Sequence, residues 1–267
     1  MTSINTDPRN LETYGSLENI VSLLLSPNGC PWDREQTHRT LKRNLLEECH
    51  ELMEAIDNHD QENMAEELGD ILLQVVFHIQ LLEREGKVNT KDVFRNINQK
   101  LIRRHPHVFG NSNVNNIKDI KANWEEIKRN ERVGSSRLSG IPKELPALAY
   151  AQLLQDRASI AGFDWTSITG ALEKVEEEFQ EFREALNNQA RDSELGDILF
   201  SLVNVCRWIN VHAEESLRKC NKRFYERFTN MEYVSSQQGI DFNNMSMDDK
   251  EALWQEAKKS LEPDLNL

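Results

Sequence analysis

The sequence has few residues that interrupt helices. Its 267 residues include only 11 glycines and 7 prolines, and no stretch shows the alternation of apolar and polar residues that predicts a half-buried strand. Most segments instead place apolar residues three and four positions apart, which is typical of amphipathic helices. In the segments that begin at Glu67, Leu172 and Glu194, this spacing predicts one buried face per helix. We therefore expect an all-α protein built of helix hairpins and bundles.

Cysteine is also scarce, and no Cys-x-x-Cys pair is present. The four cysteines are widely separated: Cys30, Cys49, Cys206 and Cys220. This pattern excludes a disulfide-rich scaffold and predicts a reducing, cytoplasmic compartment. The first residues lack the basic start and apolar core of a secretory signal. No apolar run approaches the length of a membrane span, so we expect no membrane partner.

Positive charge is too sparse for a nucleic-acid surface. The chain has 32 lysines and arginines against 45 aspartates and glutamates, which gives a formal net charge of −13. No basic stripe is present, so direct binding to nucleic acid is not expected. A nucleotide is still compatible with this charge, because a bound cation changes the local sign.

What the chain does contain is an internal repeat. The stretch "GCPWD" in the first half corresponds to "GFDWT" in the second, "QKLIRRH" corresponds to "NKRFYERF", and "ANWEEIKR" corresponds to "ALWQEAKK". Each half also carries one acidic motif, in the same order relative to these landmarks. Four matching landmarks in one order indicate a tandem duplication.

A segment rich in glycine, serine and proline separates the two halves. It predicts a linker at residues 131–146. The corresponding domains are an N-terminal helical domain at 1–130 and a C-terminal helical domain at 147–267.

The acidic motif of each half is Glu-Glu-x-x-Glu followed by Glu-Leu-Gly-Asp. Its residues are Glu47, Glu48, Glu51, Glu67 and Asp70 in the first half, and Glu177, Glu178, Glu181, Glu194 and Asp197 in the second. These acids share a helix face that borders the apolar stripe, so a hairpin of two such helices would make four carboxylates converge. Like charges in a partly dry site raise each other's pKa, and a divalent cation relieves the repulsion. Ligands that are all oxygen favour Mg²⁺ or Mn²⁺.

Cations and tryptophans follow the acidic motif of the second half. Arg223 and Arg227 are one helical turn apart, and so are Trp254 and Lys258. A flat ring beside point charges suits a nucleobase and its phosphate tail. Trp32 and Trp165 precede the acidic helices, and we expect them in the core or at the closed end of a hairpin.

Two other interpretations compete with a nucleotide site. Glu47 and His50 form the Glu-x-x-His spacing of di-metal carboxylate oxidases, but the second half has Gln180 at the equivalent position, which disfavours this alternative. The second alternative is an acidic helical scaffold that binds a basic partner, with a repeat that serves architecture alone. The ordered arginines, tryptophan and lysine after the acids disfavour it.

Taken together, these motifs resemble the MazG family of nucleoside triphosphate pyrophosphohydrolases. The stretches "GCPWD", "ELGDILLQVVF", "RRHPHVF" and "GFDW" carry the resemblance, which covers essentially the whole chain. It implies tandem all-α bundles and a homodimer. It also implies Mg²⁺-dependent hydrolysis of NTPs, including ATP and dNTPs, to the monophosphate and pyrophosphate.

The resemblance also implies residue roles. The metal ligands would be Glu178, Glu181, Glu194 and Asp197. The nucleotide-binding residues would be Lys174, Glu177, Glu178, Asp197, Arg223, Arg227, Trp254 and Lys258. The catalytic proton acceptor would be Glu177 or Glu178. A second metal site in the N-terminal repeat would use Glu48, Glu51, Glu67 and Asp70.

The two halves are not expected to be equally active. Pro106 should end the helix that contains Arg104, whereas the helix that contains Arg227 should continue. We therefore expect a structural or weakly active first half and a catalytic second half. The second half departs from the family pattern in its shorter spacer between the two parts of the acidic motif, which leaves its loop geometry open.

Overall fold

The computed structural model describes residues 11–86, 88–111, 116, 119–120, 123–124, 127 and 136–261. These residues contain helices and no strand, which confirms the predicted all-α class. None of the described helices is both long enough and apolar enough to span a membrane. The Cα positions divide into two compact units, Met1–Glu131 and Arg132–Leu267. Residues 131–135 of the predicted linker lie outside the described residues.

The first unit is built around a long helix hairpin. Its described helices are α1 (Tyr14–Leu24), α2 (Pro31–Arg34), α3 (His38–Asp57), α4 (Gln61–Arg84), α5 (Thr90–Arg104) and α6 (Pro106–Phe109). The hairpin of α3 and α4 is covered by α1. The core at this contact consists of Val21, Leu25, Leu41, Val76, Phe77 and Leu81.

The second unit repeats the hairpin. Its helices are α7 (Ala147–Ile160), α8 (Ile168–Glu184), α9 (Asn188–Trp208), α10 (Ala213–Gln237) and α11 (Met247–Leu261), with a 3₁₀ turn at Phe242–Asn244. Helices α8 and α9 form the hairpin, α7 packs on α9 and α10, and α11 packs on α10. Gln152 fixes the connection between α9 and α10, because its amide donates to the Val211 carbonyl and accepts from the Ala213 N–H.

Side-chain caps define where three of the acidic helices begin. Thr37 and Thr40 form a capping box at the start of α3, Asp60 caps α4, and Asn187 caps α9. Each cap satisfies an N–H group that the first helical turn leaves unpaired. The caps of α4 and α9 lie at equivalent positions, so Glu67 and Glu194 stand at the same distance from their helix starts.

The shorter spacer of the second half arises in a helix and leaves the loop length unchanged. Helix α3 extends to Asp57, nine residues beyond Glu48, whereas α8 ends at Glu184, six residues beyond Glu178. Both connections, 58–60 and 185–187, have three residues. Three helical residues amount to nearly one turn, so their removal shortens the hairpin without changing its connection.

The predicted apolar stripes are only partly buried. On α4, Val76 and Ile79 are buried, and on α9, Ile198 and Val203 are buried. Three stripe residues of each helix are exposed at equivalent positions: Leu68, Leu72 and Val75 on α4, and Leu195, Leu199 and Leu202 on α9. Within a single chain, the predicted face of each helix is therefore buried only in part. Each helix is apolar over a wider arc than one hairpin partner covers.

Candidate metal and nucleotide site

Three predicted metal ligands of the second half converge between α8 and α9. Carboxylate oxygens of Glu178, Glu194 and Asp197 lie within 4.8 Å of one another. Glu178 has a relative exposure of 5%, Glu194 is half-buried and Asp197 is exposed. The centre is therefore closed on the side of Glu178 and open to solvent on the side of Asp197.

Glu181, the fourth predicted ligand, lies at the edge of this centre. Desolvation, followed by the nearby charge of Glu178, raises the pKa of Glu181, and Glu194 adds to the effect. The charge of Lys174 acts in the opposite direction. Glu181 therefore responds to the charges of the centre, although its own side chain is exposed.

Lys174 connects the centre to the helix turn before it. Its Nζ lies 2.8 Å from Glu177 Oε1 and 2.7 Å from Glu178 Oε1. The hydrogen bond to Glu177, followed by that to Glu178, raises the pKa of Lys174 and keeps its ammonium charged. Lys174 thus contacts both glutamates. Only Glu178 belongs to the group of three converging carboxylates, and Glu177 lies outside it.

The first half forms a second acidic centre between α3 and α4. Carboxylate oxygens of Glu48, Glu67 and Asp70 lie within 4.8 Å of one another. Burial raises the pKa of both Glu48 and Glu67, and the neighbouring acids, including Glu51, raise these pKa values further. Glu51 lies close enough to Glu48 and to Glu67 to raise the pKa of both. The structure therefore brings together all four residues predicted for this site.

One position distinguishes the two centres, and the sequence analysis missed it. Asn44 precedes Glu48 by the same four residues that separate Lys174 from Glu178. In the first unit, Arg43 pairs instead with Glu47, with 2.7 Å between Nε and Oε1, and both side chains are largely exposed. The first centre therefore has a neutral residue where the second has its lysine. An alignment of the two acidic helices would have shown this.

A basic and aromatic group lies on α10 and α11. The Arg227 guanidinium carbon is 5.4 Å from the centroid of the Trp254 ring, and the Phe224 and Trp254 ring centroids are 5.4 Å apart. Trp254 also packs against the buried cluster of Met231, Leu253 and Ala257. Trp254 thus both packs in the unit and positions Arg227. Half-buried Arg223 and Lys258 belong to the same two helices.

The corresponding part of the first half is organised differently. Helix α5 ends at Arg104 and a new short helix begins at Pro106, which confirms the predicted break. In the second half, α10 runs through Arg227 to Gln237, as predicted. Trp124, the counterpart of Trp254, is exposed, and Lys128, the counterpart of Lys258, lies outside the described residues.

Histidine takes part in neither acidic centre. In the part of the chain that the structure describes, each group with metal-ligand spacing consists of carboxylates alone. His50 is exposed and absent from the first centre. The absence of histidine from both of these groups disfavours the di-metal oxidase alternative.

The chain is also similar to known proteins. The family model of the MazG nucleotide pyrophosphohydrolase domain matches residues 36–109. The chain is 45% identical over 247 residues to the nucleoside triphosphate pyrophosphohydrolase/pyrophosphatase MazG of Thermotoga maritima, covering 92% of this chain and 95% of that protein. It is 40% identical to the nucleoside triphosphate pyrophosphohydrolase of Escherichia coli K12, with coverages of 90% and 95%.

A further relative shows the same region within a longer protein. The uncharacterized protein YabN of Bacillus subtilis is 45% identical over 92% of this chain, which spans 52% of YabN. The similarity to the Thermotoga and Escherichia proteins extends over at least 90% of this chain and therefore over both halves. The chain therefore belongs to the MazG family of nucleotide pyrophosphohydrolases, as its motifs predict.

Proposed function

We propose that this nucleoside triphosphate pyrophosphohydrolase depends on Mg²⁺ and that its catalytic site is the acidic centre of the second unit. The observation that carries the proposal is the contact of Lys174 with both Glu177 and Glu178. It places a phosphate-binding cation next to the convergent carboxylates. The first centre has Asn44 at this position.

The residues present fit a divalent cation. Three carboxylate oxygens converge, and one of them belongs to the buried Glu178. Hard cations of this kind take oxygen ligands and leave positions for substrate phosphates. Glu178, Glu194 and Asp197 would hold Mg²⁺ or Mn²⁺, with Glu181 at the edge. When bound, the cation supplies positive charge to the phosphate oxygens and to the attacking water.

The protein side chains divide the remaining work. Water attacks the α-phosphorus, and pyrophosphate leaves. Glu177, which lies outside the convergent group, would accept the proton of the water. Arg223, Arg227 and Lys258 neutralise the leaving pyrophosphate. The contact between Arg227 and the Trp254 ring fixes the direction of that guanidinium.

We also propose that the protein works as a homodimer. The apolar stripes of Leu68, Leu72 and Val75 and of Leu195, Leu199 and Leu202 remain exposed, although they lie on the helices that carry the metal ligands. Exposed apolar stripes of this kind favour a protein partner. Because the same stripe recurs at equivalent positions of two homologous hairpins, a second copy of the chain supplies a matching surface.

The test is a direct measurement of products. Purified protein should convert NTPs and dNTPs to monophosphate and pyrophosphate in Mg²⁺ or Mn²⁺, and conversion should stop in excess EDTA and return when the metal is restored. Products should be separated by ion-exchange chromatography, since coupling enzymes can themselves require Mg²⁺. Release of orthophosphate instead of pyrophosphate would contradict the reaction, and full turnover in EDTA would contradict the metal.

A further inference from the structure

Trp165 is not the core residue that the sequence predicts. It lies in the connection before α8 and is 45% exposed, and the neighbouring Phe163 is 84% exposed. Its counterpart in the first half, Trp32, is 62% exposed. Of the two positions expected for these tryptophans, the core was therefore wrong for both. The connection lies on the surface beside the first turn of the acidic helix.

The Trp165 ring rests directly on that first turn. A Cβ atom added to Gly170 would lie 2.7 Å from Cε3 of the Trp165 ring and 3.1 Å from its Cδ2. Any larger residue would thus displace the ring. Glycine weakens a helix relative to alanine, so its presence here leaves space for the close approach of the ring to α8.

The α8–α9 hairpin itself holds the ring in place. Asp164 pairs with Arg207 near the end of α9, and its Oδ1 accepts a hydrogen bond of 2.8 Å from the Trp165 N–H. The Arg207 side chain is mostly buried in this contact. Gly162, with φ of +87°, allows the sharp turn out of α7. The exposed ring is therefore fixed by the same two helices that carry the metal ligands.

The ring and the acidic centre lie on successive turns of one helix. Gly170, Lys174 and Glu178 follow one another at intervals of four residues, so adjacent members differ by about 40° around the axis and by about 6 Å along it. Since helical side chains lean towards the N-terminus, the Glu178 carboxylate reaches back towards Lys174. Along the helix, the exposed aromatic ring comes first, the charged lysine second and the acidic centre third. A nucleotide has its parts in the same order: the base, the phosphates and the cation bound to the phosphates.

We propose that Trp165 stacks on the nucleobase of the substrate and contributes to its binding. The proposal rests on the catalytic site assigned above and adds the base-binding surface on the same hairpin. Any of the common bases presents a π-face, so this contact favours nucleotides over base-free polyphosphates without strong preference among bases. Trp254 contributes differently, through its contact with Arg227.

The first half lacks this arrangement and supplies the control. The residue equivalent to Gly170 is Thr40, whose hydroxyl donates to Gln36 Oε1 at 2.8 Å. Trp32 lies within the short helix α2 and not in an irregular connection. Substitution of Trp32 therefore removes an exposed tryptophan at the corresponding landmark without touching the proposed base surface.

The experiment compares substrate binding with binding of a base-free probe. Trp165→Ala should raise KM for NTP by about 5- to 150-fold, the range for loss of one stacked base, with a small change in kcat. The inhibition constant of inorganic tripolyphosphate should stay unchanged, because it has no base. Trp165→Phe should retain most of the affinity. Trp32→Ala should behave as wild type, and Trp254→Ala should weaken both ligands.

Gly170→Ala tests the geometry with the tryptophan retained. The added methyl group displaces the ring, so KM should rise, whereas the melting temperature should not fall, since alanine favours the helix. An unchanged KM in Trp165→Ala would overturn the proposal, as would an equal loss of tripolyphosphate binding. If wild-type protein releases no pyrophosphate, the catalytic assignment fails. If it is active and Trp165→Ala keeps its KM, only the base-binding role fails.

Discussion

One difference between the two acidic centres of this protein lies at the position of Lys174. Lys174 contacts Glu177 and Glu178 in the second centre, whereas Asn44 occupies the equivalent position of the first. In the first centre, burial and the charges of neighbouring acids raise the pKa values of Glu48 and Glu67. Like charges thus raise carboxyl pKa values in both centres, and in the second the charge of Lys174 opposes this effect at Glu181.

This difference predicts unequal effects of matched substitutions. Asp197→Ala should abolish pyrophosphate release, because the cation loses a ligand and part of its charge balance. Asp70→Ala should leave most of the activity, although it can alter the stability of the first hairpin. Both variants should be assayed at equal folded concentration, with their oligomeric state checked by light scattering. An inactive Asp70→Ala with an active Asp197→Ala would reverse the assignment of the halves, and a loss of half in each would indicate two working sites.

Helices α3 and α4 are joined at one end by two histidines. His38 Nδ1 and His78 Nδ1 are 2.7 Å apart, and the ring planes differ by 3°. The ring centroids are 5.0 Å apart, which is the Nδ1–Nδ1 distance plus about one ring radius on each side. The two rings therefore lie side by side in nearly one plane, with their edges in contact. One Nδ1–H therefore donates to the other ring, and Glu85 Oε1 lies 3.8 Å from His38 Nε2. Burial, followed by the charge of His38, lowers the pKa of His78.

The lowered pKa predicts that acid weakens the first unit. The unfolded chain binds a proton at His78 more readily than the folded chain does, so stability is complete above the ordinary histidine pKa of about 6.5 and is lost as the pH falls below it. Wild-type protein should lose melting temperature between about pH 7.5 and 5.5. His78→Gln should show a shallower loss.

His50→Gln is the control, because His50 is exposed on α3 and the second half has glutamine there. Its pH profile should follow that of wild type. If the profiles of wild type and His78→Gln have equal slopes, the histidine pair does not contribute to the acid sensitivity.

The exposed apolar stripes set the expected assembly of the whole chain. They lie on the helices that bear Glu67, Asp70, Glu194 and Asp197, so association would cover the backs of the helices that form the centres. Burying one leucine side chain contributes about 1.5–3 kcal/mol, and a two-fold interface uses each residue twice. Loss of one stripe leucine therefore removes several kcal/mol from the proposed dimer.

This proposal predicts a change of mass in solution. Wild-type protein should have twice the chain mass of 31.0 kDa by light scattering, and Leu199→Glu should shift it towards the monomer, as should Leu72→Glu. Gln189→Glu is a control for added charge, because Gln189 is an exposed polar residue on the same helix as Leu199. A monomeric wild type, or a Leu199→Glu variant that stays dimeric at low micromolar concentration, would contradict the proposed interface.

Much of this protein could be predicted from local patterns. The helices follow from apolar spacing, the duplication from ordered landmarks, and the break at Pro106 from the missing N–H of proline. The acids could be named because their spacing repeats next to an apolar run. Each of these signals lies within a few residues of the feature that it predicts.

Other features depend on contacts between segments that are distant in the sequence. Which face of α4 or α9 is buried is decided by the position of α1 and α7 and by the arc that each partner covers. Trp165 is exposed because Arg207, at the far end of the hairpin, holds Asp164 and because Gly170 leaves room for the ring. The spacing of apolar residues shows which side chains could be buried. Whether they are buried depends on which other helices pack against them, and only the tertiary structure determines that packing.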